Sequence, residues 1–208
     1  MLFEHDRLII LDFDHCLFNT TLFVDALKVR LKKDFNISPD EFDAHRQAIK
    51  DCCVVIDIDN FVKEFSDIDA NRLHGAISNV ISEKASMFIF QDAIPFIERH
   101  REKFDILIET HGDKELQTEK IKHSGVPNYV NQVISLEPKE KIVEQYIKQY
   151  KEIFFFDDKV KNIDAVKTAH KDVTTYLIER PEDHPYGGRP STCECADHVI
   201  KDLDFTIE

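Results

Sequence analysis

The sequence predicts an α/β protein with a three-layer, Rossmann-like parallel-sheet core and a small all-helical cap inserted after strand 1. Three observations predict it. Short apolar runs alternate with amphipathic stretches, the pattern of a mostly parallel sheet covered on both faces. The first run, Leu8 to Leu11 within RLIILDFDHCLFNT, is continuous rather than alternating, as a strand buried on both sides requires. From Phe18 to about Phe90 the alternation stops and the sequence looks almost wholly helical. Residues 1–17 and 91–208 are therefore expected to form the core, and 18–90 the cap.

The elements follow in order. After the first strand, Phe23, Leu27, Leu31 and Phe35 repeat every four residues, the stripe of a helix face. Ser38-Pro39-Asp40-Glu41 reads as a helix start, with Ser as N-cap, Pro in the first turn and Glu closing a capping box. Leu73, Ile77 and Ile81 mark another helix, and Phe61, Phe65 and Phe88 belong to the insertion's own core. An insertion of this length is too long for a loop and should stand over the strand ends. His45, Arg46, Arg72 and His74 within it are expected to be solvated or structural. Beyond it the runs are Asp105 to Thr110, a weaker Gln132 to Leu136, Ile153 to Phe156, Val173 to Ile178 and a short His198 to Ile200. Helical stretches separate them at Lys114 to His123, Lys139 to Tyr150 and Asn162 to His170. Arg180 to Thr192, RPEDHPYGGRPST, reads as a loop.

Composition narrows the function. The 208 residues suit one core domain with a modest insertion. Forty acidic against 27 basic residues give a formal net charge of −13, which argues against a nucleic-acid partner. An anionic substrate must then be attracted locally, by a metal and a few cations. No apolar run approaches the roughly 20 residues of a membrane span. The N-terminus lacks the features of a secretory signal, so a soluble, cytoplasmic protein is expected. The five cysteines are odd in number, and four sit in close pairs, which is no disulfide framework. Cys193 and Cys195, with His184 and His198 nearby, fall short of zinc-ligand spacing and read as reduced loop thiols.

The polar residues at the strand ends carry the chemistry. Asp12 and Asp14 close the first strand, and residues i and i+2 of a strand start on one side. Two close carboxylates repel unless a cation intervenes, and a hard cation such as Mg²⁺ favours carboxylate oxygen. Alone, Asp-x-Asp is more often a solvated turn or a helix cap. However, the second run ends at Thr110 followed by His111-Gly112, the third leads into Lys139 and Lys141, and the fourth ends at Asp157-Asp158. In a parallel sheet these positions converge beyond the carboxyl ends of the strands, where ligands bind.

In that order, these residues resemble the haloacid dehalogenase superfamily, whose members are mostly Mg²⁺-dependent phosphohydrolases. LDFDHCLFNT resembles the family's first motif, ILIETHGDKELQTEKIKHSGV its second strand and helix, PKEKIVEQY its lysine motif and FFFDDKVKNIDAVK its acidic fourth motif. FQDAIPFIERH resembles the approach to the second motif, and the helical insertion resembles the family's C1 cap. The resemblance covers nearly the whole chain. It implies Asp12 as nucleophile and Asp14 as general acid and base. It implies Mg²⁺ held by Asp12, the backbone carbonyl of Asp14 and Asp158. Thr110, His111, Gly112 and Lys139 would bind phosphate, with Lys139 preferred over Lys141. Asp157 would hold a metal-bound water or orient Asp158. Asn162 stands where the family often has a second acid, and His15 and Cys16 where it has Gly and then Thr or Val. An acid at Asp14 favours phosphate esters over carbon–halogen bonds, because an alkoxide needs a proton to leave and a halide does not. The resemblance leaves open a phosphomutase or phosphotransferase, and a binding protein that keeps the fold. A cap over the site suggests a small-molecule phosphate ester.

Overall fold

The computed structural model describes residues 4–52, 57–183 and 195–208. Its strands are β1 (Arg7–Leu11), β2 (Asp105–His111), β3 (Asn131–Ser135), β4 (Glu152–Asp157), β5 (Thr174–Ile178) and β6 (His198–Ile200). They form one six-stranded sheet in the order β3-β2-β1-β4-β5-β6, with every pair parallel. The order reverses at β1, whose neighbours are β2 and β4. The crevice beyond the strand ends at such a reversal is where open α/β sheets bind ligands.

The helices are α1 (Thr20–Phe35), α2 (Pro39–Cys52), α3 (Ile58–Lys63), α4 (Ala70–Lys84), α5 (Ala93–His100), α6 (Lys114–Ser124), α7 (Lys139–Glu144) and α8 (Val160–Ala169). Alternate residues of each strand feed two separate cores. Ile9, Leu11, Ile106, Ile108, Phe154 and Phe156 face α5, α6 and the C-terminal segment. Leu8, Ile10, Leu107, Ile153 and Phe155 face α7 and α8. That is the expected three-layer arrangement. Asp183, Arg180 and the residues between them are described, but the rest of the Pro- and Gly-rich stretch, with His184 and Cys193, lies outside the described residues. Among the described residues no helix is long and apolar enough to cross a membrane.

Helices α1 to α4 and a 3-10 turn at Ala85–Met87 occupy the insertion. The capping box at its second helix is reciprocal: Glu41 N donates to Ser38 Oγ at 3.2 Å, and Ser38 N donates to Glu41 Oε2 at 3.3 Å. Both ends of the insertion are tied together at a neck. Asn19 N donates to Phe88 O at 2.7 Å and Phe90 N to Leu17 O at 3.0 Å. Phe18, fully buried there, stacks on Phe13 with centroids 5.0 Å apart and meets Phe23 and Phe88 edge-on. The neck therefore joins the insertion's apolar face to the sheet in one continuous core.

Two elements differ from expectation. The third strand ends at Ser135, and Leu136 is 52% exposed, because the sheet's edge offers it no neighbour to pack against. The helix expected to reach Tyr150 stops at Glu144 and continues as turns that bury Tyr146 and Tyr150.

Candidate active site

Asp12 follows β1 directly, and its N–H donates to Phe156 O on β4 at 2.9 Å, which fixes the backbone at the sheet's reversal point. Its Oδ1 accepts a hydrogen bond from Lys139 Nζ at 2.7 Å. The same ammonium donates to Glu109 O at 2.7 Å, lies 2.6 Å from Glu109 Oε2 and 3.8 Å from Asp157 Oδ2. Lys139 is buried, and the alternative lysine, Lys141, is exposed and paired with Glu144 at 3.0 Å. Of the two lysines, Lys139 is the one that reaches Asp12.

Asp12, Asp157 and Asp158 bring one carboxylate oxygen each within 4.8 Å of one another, and all three residues are buried. Three anions this close, gathered where only oxygen is offered, match a hard divalent cation such as Mg²⁺. The donor set differs from the implied one in a detail. The Asp157 side chain stands within ligand reach, where the resemblance gives it a supporting role. Asn162 Nδ2 holds both oxygens of Asp157, at 3.0 and 2.9 Å, and Lys159 N donates to Oδ1 at 2.8 Å. Asn162 thus orients an acid instead of supplying one.

Asp14 is not part of this group. Its carboxylate accepts from Thr20 Oγ1 and Lys120 Nζ at Oδ1, and from Gln117 Nε2 at Oδ2, at 2.7 Å for the last. Burial alone would raise its pKa, but Lys120, Thr20 and Gln117 together hold it well below the usual carboxylate range. Gly112 makes this possible. Its φ is +155°, and a Cβ there would lie 2.9 Å from Gln117 Nε2, so a larger residue would push Gln117 off Asp14.

Thr110 is buried near the end of β2, while His111 and Gly112 border a cavity of about 530 Å³ between core and insertion. His15 also borders it and adopts φ 63°, a left-handed conformation that costs a non-glycine residue roughly 1–3 kcal/mol. Its Nδ1 lies 2.8 Å from Asp183 Oδ2, and Thr21 Oγ1 donates to Asp183 Oδ1 at 2.5 Å. Cys16 is a core residue whose carbonyl accepts from Arg180 Nε and Nη2; burial, then Asp12, push its thiol pKa well up. It is no nucleophile.

Thr20, Glu109, Gln117, Lys120 and Asp183 escaped the sequence reading. Of the insertion residues expected to be solvated or structural, His45 packs on Phe65, Arg72 lies over Phe35 and His74 meets Ser78. Arg46 instead lines the cavity.

Burial raises the Glu109 pKa from 4.5 to about 7; the Lys139 ammonium opposes the rise, and the Asp12 and Asp157 carboxylates add to it. Burial, then Asp12, likewise raise Asp157 to about 6. An acid with a raised folded-state pKa holds its proton more tightly when folded. Stability therefore falls as pH rises from the unfolded value through the folded one. Glu109→Gln removes that dependence. In metal-free buffer, urea unfolding between about pH 5 and 8 should show the variant gaining on the order of 3 kcal/mol over the wild type. A difference that stays flat across that range would mean that Glu109 is ionised throughout.

No protein-family model matches the sequence, and no curated protein matches it. Solved structures do. A haloacid dehalogenase-like hydrolase from Burkholderia xenovorans LB400 aligns over 96% of this chain and 94% of its own, with 18% identity and a TM-score of 0.77. The chain has the haloacid dehalogenase-like fold. The hydrolase YfnB from Bacillus subtilis, bound to magnesium, shares this fold over 96% of both chains, with 16% identity and a TM-score of 0.64. An L-2-haloacid dehalogenase from Xanthobacter autotrophicus, with chloropropionic acid covalently bound, matches over 96% of this chain and 95% of its own, with 12% identity and a TM-score of 0.63. The haloacid dehalogenase-like fold therefore hosts more than one chemistry, and the choice between them falls to the site's own residues.

Proposed function

We propose that this protein is a Mg²⁺-dependent phosphohydrolase that cleaves a small phosphate monoester through an aspartyl-phosphate at Asp12. The observation that carries the reading is the buried group of Asp12, Asp157 and Asp158 with Lys139 Nζ 2.7 Å from Asp12 Oδ1, next to a cavity that Asp14, His111 and Lys159 border. Asp12, Asp157 and Asp158 would hold the ion, with the backbone carbonyl of Asp14 as the further ligand that the resemblance implies. The ion would supply charge neutralisation for an anionic substrate approaching an anionic nucleophile.

An Asp12 carboxylate oxygen attacks phosphorus, the ester P–O bond breaks, and the leaving alkoxide takes a proton. Water then attacks the same phosphorus, the acyl-phosphate P–O bond breaks, and Asp12 returns with inorganic phosphate released. Lys139 orients Asp12 and offsets its charge. Thr110, with the backbone at His111 and Gly112, would hold phosphoryl oxygens. Asp14 is a carboxylate as it stands, which suits it to take the proton from water in the second half. For the first half it must gain a proton before it can give one, and Lys120 is the ammonium bonded to it. An acid at Asp14, two residues after the nucleophile in sequence, supports ester cleavage over dehalogenation, since halide leaves without a proton.

The test is turnover of a generic aryl phosphate with Mg²⁺ and with chelator. Release of phosphate that needs the metal is the expected result. Failure on a panel of phosphate esters, coupled with halide release from 2-haloacids, would overturn the reading.

A further inference from the structure

We propose that Glu109 is a positioning residue whose carboxylate engages Lys139, keeps that ammonium on Asp12 and so leaves inorganic phosphate, the product, weakly held. This rests on the phosphohydrolase reading above and adds to it a residue that governs product release.

The backbone places the pair. Leu11 of β1 pairs with Ile108 of β2, so Asp12 and Glu109 come next along two neighbouring strands. Side chains alternate along β2, which puts Glu109 on the face of Leu107, the face that α7 covers. Lys139 opens α7, and its ammonium meets Glu109 twice. Nζ donates to Glu109 O at 2.7 Å, and Glu109 Oε2 lies 2.6 Å from it. The other near acceptor is Asp12 Oδ1, at 2.7 Å. An ammonium has three protons to give, and the protein surrounds this one with as many oxygens. The family resemblance gives Lys139 to the phosphate. Here Glu109 takes up bonding capacity that a phosphoryl oxygen would need.

Glu109 does little for the fold in return. It is 1% exposed, and neither carboxylate oxygen has a hydrogen-bond partner among the described residues. Oε2 therefore meets Lys139 as an ion pair without the alignment of a hydrogen bond. Burial outweighs the attraction to Lys139, so the acid's pKa is raised rather than lowered. The charged and titratable groups around it come from four elements' ends. They are Lys139 of α7, Asp12 after β1, Asp157 of β4 and Tyr146 beyond α7, whose hydroxyl pKa is raised by burial and then by Glu109. Of these, Lys139 is the cation. A buried acid that costs stability beside a nucleophile points to a task in the site.

That task is electrostatic. The carboxylates of Asp12, Asp157 and Asp158 together outweigh the charge of a divalent ion. Lys139 alone would make up the difference, and Glu109 cancels it. A phosphate dianion then meets a weaker attraction than the lysine by itself would provide. Product release often limits turnover, so a site that holds phosphate loosely returns to the free state sooner.

The experiment measures calorimetric binding of inorganic phosphate, with Mg²⁺ present, at about pH 8, where Glu109 carries its charge. Glu109→Gln keeps the shape and removes the charge, and it should bind phosphate about tenfold tighter than the wild type. Glu109→Asp keeps the charge and should stay within about twofold of the wild type. With an aryl phosphate, the KM of Glu109→Gln should fall alongside, and kcat should not rise. A purely structural role predicts the reverse, weaker phosphate binding and a higher KM. Equal or weaker phosphate binding by Glu109→Gln would overturn the proposal, as would equal tightening in Glu109→Asp. Mg²⁺-dependent hydrolysis with unchanged phosphate affinity would leave the phosphohydrolase reading standing and remove this one. If no ester is turned over, that reading falls, and the affinities still decide the role of Glu109: absence of phosphate binding in all three proteins overturns it too.

Discussion

Asp12→Asn should abolish phosphate-ester turnover, by on the order of 10³-fold or more, while leaving the protein folded. The amide keeps the carboxylate's shape, and its oxygen can still accept from Lys139 Nζ. It cannot supply the anionic oxygen that forms the phosphoryl–enzyme bond. The variant also removes one of three buried carboxylates that crowd one another. In metal-free buffer its stability should therefore match or exceed that of the wild type, because a repulsion is lost and no cavity is opened. Added Mg²⁺ should stabilise the wild type more than the variant, since a ligand stabilises only the state that binds it. Three measurements separate these effects: steady-state hydrolysis, urea unfolding with and without Mg²⁺, and mass spectrometry of acid-quenched enzyme for a phosphorylated peptide containing Asp12. Undiminished turnover in the variant would remove Asp12 as nucleophile.

The sequence was informative where chemistry interrupts an apolar run. Asp12, Thr110 and Asp157-Asp158 each close a buried strand, so the parallel sheet alone brings them to one rim. Lys139 was recoverable as the start of the helix after β3. Glu109 could have been found by the same logic, since a carboxylate inside DILIETH must find a cation once the strand is buried. Gln117 and Lys120 were harder. They lie three residues apart on the buried face of α6 and reach Asp14 across 103 and 106 residues of chain. Periodicity registers apolar side chains, and a helix that buries a glutamine and a lysine beside Ile121 looks merely weakly amphipathic. Their meaning appears only when the partner's position is known. Arg46 is a similar case. Its helix could be read from the capping box, but the direction in which that helix presents its charged face is a property of tertiary packing. Asp183 depends on a contact with His15 across 168 residues, which no local pattern encodes.

Lys139→Met should both inactivate and destabilise the protein, and the two losses should respond differently to pH. The ammonium sits among Asp12, Glu109 and Asp157, and the opposing effect of its own burial is overcome by those carboxylates, which raise its pKa. Methionine fills the space of the stem but leaves three buried acids without their cation. Removing one partner of a buried charge pair costs about 3–5 kcal/mol, because the remaining charge is stranded. At about pH 8 urea unfolding of the metal-free variant should show a loss of that size. Acidification supplies protons to the stranded acids. Glu109 and Asp157 already have pKa values of about 7 and about 6 with Lys139 present, and its removal moves them higher. The stability gap to the wild type should therefore narrow as pH falls toward 5. Adding Glu109→Gln to the variant should restore part of the stability at pH 8, since one stranded charge is removed. It should not restore turnover, because no cation remains to orient Asp12 or to offset the phosphoryl charge. A Lys139→Met protein as stable as the wild type at pH 8, or a double variant that regains activity, would show that this lysine does not neutralise the site.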